Sequence, residues 1–213
     1  MIIAIDGTVA SGKGTLGRRL AAHYGLPHLD TGQLYRATGV DALNAGVDLT
    51  DSDACAAIAR QLDLASFNDD DLRTAEAGQA ASKVAALPAV RDALLQFQRD
   101  FAHQPGGAVL DGRDIGTVVC PDADVKLWVD ATLTERARRR ASELTAKGQP
   151  ISIADMRADL EARDARDRNR ATAPMKPADD AVLIDTTELT IDAAVDKARA
   201  VIDAVRAKRS SRS

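Results

Sequence analysis

Aromatic residues make up only 3% of this 213-residue chain, with one tryptophan, two tyrosines and three phenylalanines. A close-packed core must therefore be built from aliphatic side chains and alanine. Cysteine is nearly missing too. Cys55 and Cys120 stand far apart and match no metal or redox spacing. Both read as small hydrophobes in a reducing compartment. No apolar run reaches membrane-spanning length, so no membrane association is expected. The first residues lack a basic region followed by a long apolar segment, so no signal peptide is expected and the cytoplasm is the expected location. An excess of positive charge is also absent. The net charge is −4, which does not advertise nucleic acid as a partner. No internal repeat, low-complexity segment or long exposed apolar stripe is evident, and a monomer is expected. The length suits one domain, or one with a small insert, large enough to bury a substantial core.

What the chain does have is a glycine-rich stretch near its start. Met1-Ile2-Ile3-Ala4-Ile5-Asp6 is a short apolar run. Gly7-Thr8-Val9-Ala10-Ser11-Gly12-Lys13-Gly14-Thr15 follows, and Leu16 to Tyr24 reads as a helix. Strand, glycine loop and helix form the context of a phosphate-binding loop, and Gly7 and Gly12 carry the G-x4-G-K spacing. Backbone N–H groups in such a turn point at one anion. The helix adds its positive end, and Lys13 supplies a mobile point charge. Gly14 stands where a hydroxyl residue usually follows the lysine, and the hydroxyl comes one place later at Thr15. The structural alternative is an ordinary glycine turn.

Further along, 27–30 looks like a short strand, and Thr31 suits the N-cap of a helix over 33–44. A helix over 51–62 follows, with Asp51 or Ser52 as its cap. The pattern breaks up over 62–71, where Phe67-Asn68 reads as loop or remnant strand. Helices are expected over 72–86 and 88–102, with Pro88 in the first turn of the second. Strands over 108–111 and 125–130 each end in a carboxylate, as does the last strand, 182–185. Helices are expected over 132–146, from Ser152 to about Arg170, and over 190–208, with a frayed basic tail at 209–213. Five short apolar strands alternating with helices argue for an α/β fold, a parallel sheet covered by helices on both faces. Ligands in such folds sit at the carboxyl ends of the strands, where the glycine loop, Asp30, Asp111 and Asp130 all fall.

Three other constellations carry charge. Asp30-Thr31-Gly32-Gln33-Leu34-Tyr35-Arg36 puts Thr31 and Arg36 near a second anion, or else is a cap followed by a surface arginine. Asp111-Gly112-Arg113-Asp114-Ile115-Gly116 opens a buried strand into a loop with arginine between two aspartates, placing charge where a substrate would lie. Asp111 is placed like the acidic strand end that orients magnesium through water. The alternative is a turn with a local ion pair. In Arg163-Asp164-Ala165-Arg166-Asp167-Arg168-Asn169-Arg170, helical spacing puts Arg163, Asp167 and Arg170 on one face. Arginines so placed grip phosphates. The segment reads equally well as a solvated helix laced with ion pairs.

Together these pieces resemble the nucleoside monophosphate kinases, and specifically the bacterial cytidylate kinases, over nearly the whole chain. The carriers are Gly12-Lys13-Gly14-Thr15, Asp30-Thr31-Gly32 with Tyr35-Arg36, Gly112 to Val119, and Arg163 with Asp167-Arg168-Asn169-Arg170. The resemblance implies a three-layer sandwich of the phosphate-loop NTPase type. It divides the chain into a core (1–30, 103–150 and 180–213), a monophosphate-binding insert (about 31–102) and a short lid (about 151–172). It implies transfer of the ATP γ-phosphate to CMP or dCMP, with Mg²⁺ as cofactor and these small molecules as the only partners. Residues 7–15 would hold ATP phosphates. Thr31 and Arg36 would lie at the monophosphate, and Ser82, Arg91 and Asp114 would read the cytosine edge. Arg113 would bind phosphate, Arg163 and Asp167 would contact the sugar, and Arg170 would reach the transferring phosphate. Lys13, Arg113, Arg163 and Arg170 would be the catalytic set, with Thr15 and Asp111 in the outer shell of the metal.

The chain departs from the family pattern in three places. Thr8 stands where proline is usual, Ala10 where glycine is frequent, and the segment 62–71 is short. Two other readings remain: a kinase for UMP or dTMP, and a non-catalytic nucleotide- or nucleic-acid-binding module. A guanine-specific Asn-Lys-x-Asp motif does not occur.

Overall fold

Ile3 and Ile5 point to one side of the first strand and Ala4 to the other, and both sides are buried. A strand buried on both faces belongs in the middle of a parallel sheet. In the computed structural model, which describes residues 1–68 and 70–211, that is where β1 (Ile2–Gly7) lies. The other strands are β2 (His28–Asp30), β3 (Ala108–Gly112), β4 (Val125–Asp130) and β5 (Val182–Asp185). Their order is β2-β3-β1-β4-β5, and every pairing is parallel. The chain leaves β1 toward β2 on one side and later returns to β4 on the other. The loop after β1 therefore sits at the point where strand order reverses.

Helices cover both faces, as the sequence predicts. Leu16 and Leu20 of α1 (Lys13–Tyr24) and Val195 and Ile202 of α8 (Ile191–Ser210) pack on Ile3, Ile5, Val109 and Leu127. On the opposite face Ala102 of α5 (Pro88–Ala102) joins Ile115 and Val119 against Ala4 and Leu110. A second apolar cluster binds α2 (Thr31–Asn44), α3 (Ser52–Arg60), α4 (Ala75–Val84) and the start of α5, with Leu34, Cys55, Val84 and Leu94 inside it. A third joins α6 (Leu133–Ala146) to α7 (Ile153–Asn169) through Leu144, Met156 and Leu160, with Val9 packed against it. Alanine is prominent on the α5 face of the sheet and in the second and third clusters, which is how a chain so poor in aromatics fills much of its interior. No helix among the described residues is long and apolar enough to cross a membrane.

Several expected boundaries are corrected. Thr31 is not an N-cap. Asp30 holds that position, and the Thr31 hydroxyl donates to the Asp111 carbonyl at 2.9 Å. The carboxylate of Asp30 is used by Arg36 at 2.8 Å, so it makes no cap bond either. The helix expected from Leu72 instead begins at Ala75, because the Thr74 hydroxyl accepts from Ala77 N–H and starts it there. Before it come two 3₁₀ turns, Leu64–Ser66 and Asp71–Arg73, with no strand at Phe67-Asn68; Asp69 lies outside the described residues. The tail is not frayed from Arg209. Helix α8 runs to Ser210, and Arg209 pairs with Asp124, while Arg212 and Ser213 lie outside the described residues. A single π turn, Ile115–Val119, follows β3 where no regular element is expected.

The sheet fixes one glycine by close approach. Gly7 pairs with Val129, and a Cβ on it would stand 1.9 Å from the Val129 carbonyl oxygen. Gly7→Ala should lower the unfolding free energy by about 3 kcal/mol, the scale of a forced overpacking, as read by urea denaturation. An unchanged midpoint would refute the contact.

Candidate active site

Side chains from the loop itself and from its neighbours tie down the carbonyls between β1 and α1. The Thr8 hydroxyl donates to Asp130 Oδ1 at 2.6 Å, tying the loop to the end of β4. Ser11 Oγ donates to the Thr8 carbonyl at 2.9 Å, and Thr186 Oγ1 to the Ser11 carbonyl at 2.8 Å. Arg136 of α6 donates to the Val9 carbonyl at 3.2 Å. Gly12 sits at φ +92°, and so, less comfortably, does Ala10 at +60°. A left-handed alanine costs roughly 1 kcal/mol or more, a strain that the surrounding tethers hold in place. Thr8 thus replaces the stiffness of a proline with a hydrogen bond. Of the loop residues, Val9, Ala10, Gly12, Lys13, Gly14 and Thr15 line a cleft of about 260 Å³, Ser11 lines the cavity next to it, and Gly7 and Thr8 line neither.

The same cleft is lined by Thr31, Arg36, Ser82, Arg91, Asp111, Arg113, Asp114, Arg163, Asp167 and Arg170, and by Asp30, but not by Asp130. They come from α2, α4, α5, the ends of β2 and β3, and α7, elements separated by most of the chain. A second cavity of about 600 Å³ adjoins it. The two share Ala10, Gly12, Thr15, Arg140 and Glu143, and the far wall of the second is Arg139 and the Thr186–Thr190 turn. The glycine loop therefore lies between two chambers.

Charge in the cleft is unevenly matched. Lys13 Nζ is buried and donates to a neutral oxygen, the Thr8 carbonyl, at 3.1 Å. Burial, and then the nearby Arg113 charge, lower its pKa to about 7. Arg163 is pushed down to about 10 by the same two causes, and its Nε is buried without a hydrogen-bond partner. The other cations lean on carboxylates. Arg113 meets Asp167 at 3.4 Å, and Arg170 meets Asp114 at 3.1 Å. Arg91 pairs with the other Asp114 oxygen, leaves its own Nη1 buried and unpaired, and stacks over Tyr35 at 5.5 Å. Burial opposes ionisation of Asp30 and Asp167, but arginines hold both below the usual carboxylate range: Arg36 for Asp30; Arg113, Arg163 and Arg170 for Asp167. Ser82 donates to Asp167 at 2.9 Å, joining α4 to α7 across the cleft.

Four participants escape the sequence reading. His28 meets Asp111 Oδ2 at 2.8 Å. The strand repeat places it on the same face as Asp30, a usable signal. Arg136 forms a buried pair with Asp164 at 2.7 Å, which nothing in the Glu135-to-Arg140 charge run distinguishes. Asp6 accepts from Ile115 N–H at 2.7 Å and Gly116 N–H at 2.8 Å. Burial raises its pKa to about 7 against those two bonds. Its signal is a carboxylate closing an otherwise apolar strand.

The family model described as cytidylate kinase matches residues 3–204. The chain belongs to the cytidylate kinase family. A curated cytidylate kinase from Cereibacter sphaeroides is 60% identical over 201 residues, 94% of this chain and 94% of that protein. One from Methylocella silvestris is 56% identical over 203 residues, 95% of this chain and 94% of the relative. A solved structure of an uncharacterized protein from Eubacterium ventriosum aligns with a TM-score of 0.56 at 15% identity, covering 95% of this chain and 98% of that one. That likeness is one of fold. For a cytidylate kinase family member, a cleft crowded with buried cations is in keeping with phosphate-bearing ligands.

The lowered Lys13 pKa has a measurable sign. Above pH 7 the free protein holds Lys13 largely neutral, and phosphate groups beside it raise its pKa, so binding takes up a proton. Calorimetric titration of ATP at pH 8, in buffers of differing ionisation heat, should show uptake of up to about one proton. Uptake should vanish in Lys13→Met and below pH 6. No uptake at pH 8 in the unmodified protein would refute the shift.

Proposed function

We propose that this chain transfers the γ-phosphate of ATP to CMP or dCMP, giving ADP and CDP or dCDP. The single observation that carries the reading is the convergence of buried Lys13 and Arg170 with half-buried Arg36, Arg113 and Arg163 beside a carboxylate, Asp114, held by Arg91 and Arg170. A carboxylate is the natural acceptor for the exocyclic amine of cytosine and faces an oxygen in uracil. This favours CMP over UMP or dTMP as acceptor. The second cavity suits the nucleoside half of ATP, with its phosphates running over residues 7–15 into the first.

An oxygen of the CMP phosphate attacks the γ-phosphorus in line. The new P–O bond forms as the bond to the β–γ bridging oxygen breaks, and that oxygen leaves on ADP. No protein nucleophile is needed. Lys13 and the four arginines neutralise charge on the transferring group. Thr31 and Arg36 seat the monophosphate, and Ser82, Arg91 and Asp114 hold the base. Arg163 and Asp167 take the sugar, Asp167 exchanging its contacts with Ser82 and Arg113 for the ligand. The α2–α5 cluster supports reading 31–102 as a separate insert, and α7 supplies the lid over 151–172 that excludes water.

Among the described residues no group of three or more His, Cys, Asp or Glu is placed to hold a metal alone. Asp111 is buried with a carboxylate oxygen 3.8 Å from where a Gly14 Cβ would stand, beside the half-buried Thr15. These donors fit Mg²⁺ carried by nucleotide phosphates, which Asp111 and Thr15 would help to hold through water. When bound, the ion supplies charge neutralisation at the phosphates. The reading makes the protein a cytoplasmic monomer with small-molecule partners. Its free, buried cysteines, Cys55 and Cys120, are compatible with a reducing compartment.

Coupled ADP release with ATP, Mg²⁺ and each monophosphate tests it. CMP and dCMP should stand well above UMP, dTMP, AMP and GMP. Equal rates with UMP would overturn the base reading, and no stimulation by any acceptor would overturn the reaction. Lys13→Ala and Arg170→Ala should each lower kcat about 100-fold with little change in melting temperature. A near-normal kcat would remove that residue from the mechanism.

A further inference from the structure

Asp114 occupies the residue position just before the π turn Ile115–Val119, where an aspartate ordinarily folds back to accept the turn's first free N–H groups. Here it makes no such bond. Its backbone lies at φ −148°, ψ 25°, and its carboxylate is turned into the cleft toward Arg91 and Arg170. The N–H groups it would have capped are taken by another carboxylate. Asp6, 4% exposed and one residue before the phosphate loop, accepts from Ile115 and Gly116 with one oxygen each. The two aspartates are 108 positions apart in sequence, and the pairing of β1 with β3, which sets Asp6 opposite Gly112, brings them together.

We infer that Asp6 is a positioning residue for base recognition: by capping the π turn from the neighbouring strand, it keeps the Asp114 carboxylate free for the substrate base. Without Asp6, two buried N–H groups lose their acceptor, and the nearest carboxylate able to replace it is Asp114 itself. Each time Asp114 turned back it would leave Arg91 and Arg170 and vacate the position facing the base. The same residue ties the start of the phosphate loop to the loop carrying Arg113 and Asp114. The inference rests on the proposed reading of Asp114 as the base contact.

The test is a double-mutant cycle on the ratio of kcat/KM for CMP to that for UMP, using the full-length protein. Asp6→Asn, which keeps the volume and presents an amide where an oxygen accepted, should lower the ratio about tenfold, the scale expected when a polar recognition group is misplaced. The KM for ATP should change far less. In an Asp114→Asn background the same substitution should change the ratio little, because the group it positions is gone. An Asp6→Asn effect that persists in full on that background overturns the inference, as does an unchanged ratio in Asp6→Asn alone. If Asp114→Asn itself leaves the ratio unchanged, it is the base reading that fails.

A measurement on the unmodified protein covers the case in which Asp6→Asn does not fold. On addition of CMP the ¹³C carboxyl resonance of Asp114 should move and that of Asp6 should stay. An Asp6 resonance that moves as far as that of Asp114 would place Asp6 at the ligand and overturn the capping role.

Discussion

Too much positive charge in too little space is the constraint on which the rest of this molecule depends. Lys13, Arg36, Arg113, Arg163 and Arg170 converge on one cleft, and the lowered pKa values of Lys13 and Arg163 register their burial first and then the charge of Arg113 beside them. Such a site is unfavourable for folding, and the three apolar clusters of sheet, insert and α6–α7 hairpin offset it. Asp30, Asp114 and Asp167 act meanwhile as internal counter-ions, occupying guanidinium groups that a phosphate would engage. Exchanging a carboxylate partner for a phosphate leaves the arginine's charge always matched. The lysine, matched only by a carbonyl, has the most to gain from a ligand.

Every strand carries an aspartate at its carboxyl end, and no two do the same work. Asp6 caps the π turn, Asp30 holds Arg36, and Asp111 takes His28. Asp130 anchors the Thr8 hydroxyl, and Asp185 accepts from Thr187 N–H in the turn beside the second cavity. Parallel pairing puts these ends in one row, so a single architectural choice concentrates acceptors along the edge where cations and phosphates must be organised.

The strands were legible because short apolar runs closing on Asp30, Asp111, Asp130 and Asp185 have few other readings, and Pro88 marked its helix start. Much of the cleft was legible for a related reason: most of its residues sit in the compact motifs at 7–15, 30–36, 111–116 and 163–170, whereas Ser82 and Arg91 stand in no such motif and came only from the family resemblance. What was hidden is non-local. Thr31 looked like a cap because local rules ignore the Asp111 carbonyl that claims its hydroxyl. The start of α4 was misplaced because helical periodicity ran smoothly through a 3₁₀ turn that only Thr74 separates from it. Asp6, and the pair of Arg136 with Asp164, act on partners 109 and 28 residues away, and periodicity carries no trace of them.

The third cluster has a further consequence. Val9 packs its side chain among the apolar residues shared by α6 and α7, while its carbonyl accepts from Arg136, which in turn grips Asp164 on α7. The phosphate loop and the hairpin are thus one mechanical part, although the chain leaves one and reaches the other more than a hundred residues later. A chimera that imports a relative's hairpin at 133–169 would import half of a fitted joint. It would need residue 9 from the same donor, because the boundary of the transferable unit follows the packing and not the order of the chain.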